Sequence, residues 1–263
     1  MRRPMPPYIR TLGIELEGGW NCRCATPETL CDTTSRGFPA CLPTHPTATL
    51  KTDTSVQTNA HWNGEFACGP YVRHAPWHAT VRTLWPHEVN DTCGMHLHLG
   101  CYNDDVYARF LTPTFETYLL DGLDGWASQR GLKADHPFWS RLAGRNTYCL
   151  HGYAGDEQAN ATGPSAKRHR VCNYTWQYKG TIEIRVLPMF ADHDLAFDAI
   201  ERVLTLAEHW AARHRTRLRA RSTFILPNDL VEDFHTVQRM AVDILHAQAE
   251  TSSTEIIYTC ASS

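Results

Sequence analysis

The 263-residue sequence has no apolar run approaching the roughly 20 residues that a membrane-spanning helix requires. Residues 1–10 contain arginines and prolines, but no apolar stretch follows them, which is untypical of a secretory signal peptide. A large excess of charge of one sign is also lacking, since the formal net charge is only −3. The composition therefore does not favour a polyanionic partner. We therefore expect a soluble, cytoplasmic protein without membrane association.

Both common glycine-rich phosphate loops are missing. The chain contains neither the G-x-G-x-x-G pattern of dinucleotide-binding folds nor the G-x-x-x-x-G-K-[ST] pattern of the P-loop. Backbone amides of such loops therefore cannot hold a phosphate group here. Any nucleotide would have to be bound mainly by side chains and metal ions.

Ten cysteines are present and unevenly distributed. Four of them, Cys22, Cys24, Cys31 and Cys41, lie in a Thr- and Pro-rich segment, and their spacing is not that of paired C-x-x-C zinc knuckles. Free thiols in a variable insertion are the favoured interpretation, and one structural Zn²⁺, with His45 as a further ligand, is the alternative. The other six are scattered as small buried residues are, and none is assigned a catalytic role: Cys68, Cys93, Cys101, Cys149, Cys172 and Cys260.

Three short segments place an apolar residue between two ionisable ones: Glu15-Leu16-Glu17, His96-Leu97-His98 and Glu183-Ile184-Arg185. If each segment is a β-strand, the side chains at i and i+2 leave the same face, so six such groups can converge over one sheet surface. Crowded carboxylates repel one another unless positive charge lies between them, which makes divalent metal ions candidates. The alternatives are a solvated edge-strand face for the glutamates and a hydrogen-bonded pair for the histidines.

The apolar periodicity predicts an α+β fold, with an antiparallel sheet that has one working face and one face covered by helices. Strands are expected at residues 11–17, 50–56, 64–68, 94–100 and 171–189, with the Gly18-Gly19 pair ending the first. Helices are expected at residues 76–89, 104–129 with a break or restart at Pro113, 192–217 and 228–248. Residues 21–46 form a long insertion, residues 133–166 a loop, and residues 251–263 a weakly ordered tail.

Six motifs follow one another between about residue 10 and residue 215: GIELEGG, KTDTSV, GEFACGP, TCGMHLHLG, GRNTYC, and the run from VCNYTW to GTIEIRVLPMF. In this order they resemble the amidoligase family, distant relatives of glutamine synthetase and glutamate-cysteine ligase. The resemblance implies a curved antiparallel sheet of the glutamine synthetase catalytic type. It also implies one catalytic domain over residues 1–250, with the cysteine-rich insertion at about 20–46.

The same resemblance implies an ATP-dependent carboxylate-amine ligase, in which a substrate carboxylate is phosphorylated and an amine then displaces phosphate. Its substrates would be small-molecule or peptide carboxylates and amines. Two Mg²⁺ or Mn²⁺ ions are implied, the first held by Glu15, His96 and Glu183 and the second by Glu17, Asp53 and Glu65. Arg185 would face the transferred phosphoryl group, Arg145 would be a second phosphate or carboxylate clamp, and His98 would orient nucleotide phosphate or incoming substrate.

Two other functions use the same residues. A metal-dependent hydrolase would employ the carboxylate and histidine face to activate water, and a catalytically silent descendant would bind a metal or a partner without turnover. Individual residues also have simpler roles, since Asp53 or Glu65 could be a turn or N-cap residue. Basic residues at 167–170 and 213–221 would be solvated positions, the second at a helix end; binding of an anionic or nucleic-acid acceptor is the less favoured alternative.

Overall fold

A computed structural model describes residues 7–21, 42–152, 169–175 and 179–214. These residues belong to the first of two compact units, residues 1–217, and the second unit, residues 218–263, lies outside the described part of the chain. Several predictions therefore fall on residues that are not described. They are the four clustered cysteines with their possible zinc site, Cys260, the helix at 228–248, the tail, and most of the two basic clusters.

The described residues form an α+β fold around a six-stranded antiparallel sheet. Its strands are β1 (Ile9–Trp20), β2 (Ala48–Thr52), β3 (Trp62–Val72), β4 (Gly94–Cys101), β5 (Cys172–Tyr174) and β6 (Thr181–Pro188). The helices are α1 (Trp77–Thr83), α2 (Asp104–Ala108), α3 (Pro113–Arg130), α4 (Pro137–Leu142) and α5 (His193–Arg213). The strand order is β2-β3-β1-β4-β6-β5, and each neighbouring pair is antiparallel. The expected α+β class and antiparallel sheet are confirmed.

Strand β1 lies inside the sheet, between β3 and β4, and its side chains alternate between two environments. Leu12, Ile14 and Leu16 are fully buried and belong to the apolar core. Burial of each such side chain stabilises the fold by about 1.5–3 kcal/mol relative to an exposed position. The alternate positions of β1 face the other side of the sheet, where the ionisable side chains lie.

Helices α3 and α5 pack on each other and complete the core. Pro113 occupies the first turn of α3, as the sequence predicted, because its fixed φ suits a helix start. Phe115 of α3 meets Trp210 of α5 with ring centroids 5.5 Å apart. The side chain of Asp192 accepts a hydrogen bond from the backbone of Asp194 and thereby begins α5 at the expected place. Among the helices in the described ranges, none combines the length and apolar character that a membrane span needs.

The five described cysteines are all buried, as expected: Cys68, Cys93, Cys101, Cys149 and Cys172. Burial raises the pKa of the Cys68 thiol to about 12 and that of the Cys149 thiol also to about 12. Thiols in this state are neutral at physiological pH and poor nucleophiles. They fill the core in the manner of small apolar residues.

Several predicted boundaries were wrong for identifiable reasons. Helix α1 ends at Thr83 rather than residue 89, because Pro86 disfavours helical backbone at the residue before it. Strand β2 ends at Thr52 rather than residue 56, because Asp53 accepts hydrogen bonds from Ser55 and forms a turn. The region 171–189 contains two strands rather than one, β5 and β6, joined through residues that are only partly described.

Two further corrections concern the site. The segment predicted as loop at 133–166 contains helix α4, which begins where the His136 ring accepts a hydrogen bond from the backbone of Phe138. A helix of six residues is too short to show apolar periodicity in the sequence. The Gly18-Gly19 pair does not end β1, because both glycines pair with β3. They are needed there for close packing: a Cβ on Gly19 would overlap Thr58 and Ala60.

This packing predicts opposite effects for two glycine substitutions. Gly19→Ala should lower the free energy of unfolding by about 1–3 kcal/mol, because the added methyl group must displace Thr58 from its hydrogen bonds to Asn63. Gly125→Ala is the matched control, because a Cβ added at Gly125 in α3 would meet no neighbouring atom. It should raise the free energy of unfolding by about 0.5–1 kcal/mol. Urea unfolding followed by tryptophan fluorescence measures both. A Gly19→Ala protein as stable as wild type would contradict the close packing.

Candidate metal centre on the polar sheet face

One face of the sheet carries ionisable side chains, because their positions alternate with core positions along each strand. In β1, Glu15 and Glu17 flank the buried Leu16. The antiparallel register places Glu17 opposite Glu65 of β3, and Glu15 opposite His96 of β4. His98 and Glu183 are likewise opposite each other on β4 and β6. We call the following residues the carboxylate–histidine cluster: Glu15, Glu17, Asp53, Glu65, His96, His98 and Glu183.

The first group of potential metal ligands is Glu15, His98 and Glu183. All three are buried, and one ligand atom from each lies within 4.8 Å of the others. Within this group, His98 Nε2 lies 3.0 Å from Glu15 Oε1. This group shares Glu15 and Glu183 with the first predicted ligand set. His96, the histidine that the resemblance assigned to that set, also reaches both carboxylates, because its Nδ1 lies 3.2 Å from Glu15 Oε2 and 3.9 Å from Glu183 Oε1.

His96 lies between the two carboxylate groups. Its Nδ1 is 3.2 Å from Glu15 Oε2, and its Nε2 is 3.4 Å from Glu17 Oε1. Only 1% of the residue is exposed. The ring therefore lies between the two glutamates of β1 and close to both.

The second group is Glu17, Asp53 and Glu65, the same three residues that the motif resemblance implies for the second ion. Their ligand atoms also lie within 4.8 Å of one another. Asp53 comes from the turn after β2, where Ser55 donates to its Oδ1 from both backbone and side chain. The turn role and the ligand role of Asp53 are therefore compatible, because its other oxygen remains for a cation.

Interactions within the cluster keep two of its carboxylates ionised. Burial raises the pKa of Glu15, but the contacts from His96 and His98 outweigh it and hold that pKa well below 4.5. Burial likewise raises the pKa of Glu183, but Arg185 and the two histidines lower it to about 2. Arg185 Nη1 lies 2.6 Å from Glu183 Oε1, and this close contact explains why Arg185 lowers the pKa of Glu183 more than the histidines do.

Glu65 behaves differently from Glu15 and Glu183. Burial and the negative charge of Glu15 raise its pKa above 4.5, although Lys51 Nζ lies only 2.7 Å from Glu65 Oε1. The same ammonium is 3.8 Å from Glu15 Oε1, and Lys179 Nζ is 4.0 Å from that oxygen. The cations that reach this end of the cluster thus leave part of its negative charge uncompensated.

The three residues predicted to bind phosphate are placed differently from one another. Arg185 is 8% exposed, and its guanidinium donates to Glu183 and to the carbonyl of Tyr148. His98 belongs to the cluster itself, and its Nδ1 lies 3.3 Å from Thr181 Oγ1. Arg145 is exposed, and among the described residues no hydrogen bond or ion pair joins its guanidinium to the cluster. The phosphate-binding roles of these residues stay predictions.

Four residues that contact or border the cluster were not predicted from the sequence: Lys51, Arg141, Asn173 and Lys179. Lys51 lies in the quoted KTDTSV motif and alternates with Asp53, so its position was open to prediction. Asn173 precedes Tyr174 in the VCNYTW motif and donates to Glu183 Oε2 at 3.0 Å. Arg141 has no such signal, because it belongs to the short helix α4.

The donor set fits a hard divalent cation. Two groups of carboxylate oxygens with one imidazole match the oxygen-rich sites of Mg²⁺, and the imidazole suits Mn²⁺ somewhat better. The Nε2 atoms of His96 and His98 are buried, and no described group meets them with hydrogen-bond geometry. Each nitrogen nevertheless lies beside a carboxylate oxygen, His98 Nε2 at 3.0 Å from Glu15 Oε1 and His96 Nε2 at 3.4 Å from Glu17 Oε1, so a cation bound there would have both kinds of ligand atom within reach.

A pocket of about 360 Å³ lies elsewhere, beside the end of β1. Polar and apolar residues of two loops line it, among them Thr58, Pro86 and Glu88. No member of the carboxylate–histidine cluster is among its lining residues. The chemistry-bearing residues and this pocket are therefore separate features.

Comparison with known proteins identifies no relative: no protein-family model matches the chain, and no curated protein matches it.

The two ligand groups predict the binding of two Mn²⁺ ions per chain, measured by isothermal titration calorimetry. Asp53→Asn should weaken one site about tenfold or more, and Glu183→Gln should weaken the other similarly, because each removes a ligand from a different group. Asp124→Asn is the control, since Asp124 is exposed on α3 and belongs to no group of metal-ligand spacing among the described residues. Two undiminished sites in the Asp53→Asn protein would contradict the assignment.

Proposed function

We propose that this protein is an ATP-dependent carboxylate-amine ligase with a two-metal site on the polar face of a glutamine synthetase type sheet. One observation carries the proposal: residues from separate sequence motifs meet on one sheet face as two groups of metal-ligand spacing. One group, Glu17, Asp53 and Glu65, coincides with a ligand set that the motif resemblance implies. The motifs themselves follow the family order through most of the chain.

The proposed reaction has two displacements. A carboxylate oxygen of one substrate attacks the γ-phosphorus of ATP, and ADP leaves with the electron pair of the broken P–O bond. The nitrogen of the second substrate then attacks the acyl carbon, phosphate leaves, and the nitrogen loses a proton to give the amide. Divalent metal ions, when bound, would offset the negative charge of the phosphoryl oxygens.

The protein groups would act mainly by position and charge. The two glutamates of β1 and their partners would hold the cations, and His96 would keep those glutamates apart. Arg185 keeps Glu183 ionised through their contact at 2.6 Å. Lys51 and Lys179 have ammonium groups at the edge of the cluster, each about half exposed, where they would meet an anionic substrate.

A phosphate-release assay tests the proposal. Purified protein is incubated with ATP, Mg²⁺, a pool of carboxylates and a pool of amines, and the products are examined by mass spectrometry for condensation with loss of one water. We expect phosphate release that requires all four additions. Turnover of substrate without ATP would instead favour a metal-dependent hydrolase, and no turnover with intact metal binding would favour a silent binding protein.

Substitution of the cluster should remove this activity. Glu183→Gln is expected to abolish ADP formation, with the fold retained in circular dichroism. Because Glu183 also neutralises the buried Arg185, Asp53→Asn serves as a second variant with smaller effects on stability. Asp194→Asn, outside the cluster, should retain wild-type rates. Normal ADP formation in both cluster variants would refute the assigned roles.

A further inference from the structure

Helix α4 holds an arginine whose hydrogen-bonding capacity is largely unused. Arg141 is only 1% exposed, and its Nη1 donates to the carbonyl of Arg185 at 3.4 Å. Its Nε and Nη2 are buried and have no hydrogen-bond partner among the described residues. Nε and Nη2 form one edge of the guanidinium, the edge that donates two parallel hydrogen bonds to a carboxylate or phosphate.

The charge of Arg141 is also without a direct counter-ion in the described part of the chain. No ion pair joins its guanidinium to a carboxylate there, although Glu17 is near enough to affect it electrostatically. A buried charge without a partner costs several kcal/mol, so proteins keep one chiefly where a ligand supplies the partner. Arg185, by contrast, is already occupied by Glu183.

Arg141 borders the carboxylate–histidine cluster at Gly94. A methyl group placed on Gly94 would lie within 3.0 Å of Arg141 Nη1, His96 Nε2 and Glu17 Oε2. The absence of a side chain at Gly94 therefore lets these three side chains approach one another, and it places Arg141 directly beside the cluster. The backbone N–H of Gly94 also donates to Glu17 at 2.5 Å, which fixes that carboxylate beside Gly94.

We propose that Arg141 binds two oxygens of an oxyanionic ligand group through Nε and Nη2. It is thus the anion-binding arginine of the site, a role that the motif resemblance implied for Arg145. The identity of the ligand rests on the proposed function, since in a ligase the group is either a nucleotide phosphate or the carboxylate of a substrate. The planar fork of a guanidinium suits both.

The test uses tripolyphosphate and succinate as probes, titrated by calorimetry into the full-length protein without added metal. We expect Arg141→Met to lower the affinity for the probe that binds by about tenfold or more, because two charge-assisted hydrogen bonds are lost. A loss confined to tripolyphosphate indicates a phosphate ligand, and a loss confined to succinate indicates a carboxylate ligand. If neither probe binds the wild-type protein, the proposal is overturned.

Thermal unfolding of the ligand-free variants separates this role from a structural one. Arg141→Met should unfold at the wild-type temperature or above it, because it replaces an unpaired buried charge by an apolar chain. A lower unfolding temperature with unchanged probe affinity overturns the proposal. Arg141→Lys is the second variant if Arg141→Met does not fold, and it should weaken binding several-fold, because an ammonium cannot donate as a fork. Unchanged affinity in this variant also overturns the proposal.

Arg109→Gln is the matched control. Arg109 donates to the carbonyl of Ala211 and lies over the ring of Tyr8, so its loss should lower stability without altering probe affinity. Failure of the ligase assignment is distinguishable from failure of this inference. Probe binding that depends on Arg141, in a protein without ATP turnover, would refute only the ligase reaction.

Discussion

The close burial of like charges is the constraint on which the site depends. The period of two in β1 and the antiparallel register bring Glu15, Glu17 and Glu65 together on one face. Glu183 of β6 lies on the same face, with β1 and β4 between its strand and that of Glu65. Carboxylates held this closely away from water repel one another, so the fold must supply compensating positive charge. The histidine pair, Arg185 and the two lysines at the edge of the polar face can be understood as part of that compensation.

The compensation is uneven across the face, and this unevenness is informative. On the β6 side, Arg185 lies against Glu183 and the pKa of that carboxyl is lowered to about 2. On the β3 side, the half-exposed Lys51 is the one cation among the described residues that forms an ion pair with Glu65, and burial together with the charge of Glu15 raises the pKa of Glu65. A divalent cation at the Glu17, Asp53 and Glu65 group would supply the missing charge where the protein supplies least. It would compete with Lys51 for the Glu65 oxygen and leave that ammonium available to an anionic substrate.

The sequence predicted those parts of the site that depend on local alternation. The pairs Glu15 with Glu17 and His96 with His98 needed only a strand period of two to share a face. That both histidines contact Glu15 was beyond it, because these contacts depend on the register between β1 and β4. The glycine pair in β1 misled for a related reason: its role is close packing against Thr58 and Ala60, a tertiary contact that no local pattern records.

Arg141 illustrates the remaining limit. Composition around residues 133–166 indicated loop, and a six-residue helix offers too little periodicity to correct that interpretation. The position of Arg141 beside the cluster is visible only in three dimensions. There its guanidinium is buried next to the carboxylates, yet it forms no ion pair with a carboxylate in the described part of the chain. If Arg141 served only to neutralise Glu17, direct contact would be the more favourable arrangement, since attraction weakens with distance. Its separation from that carboxylate, with one donor edge unused, is better explained by a second anion that completes the site.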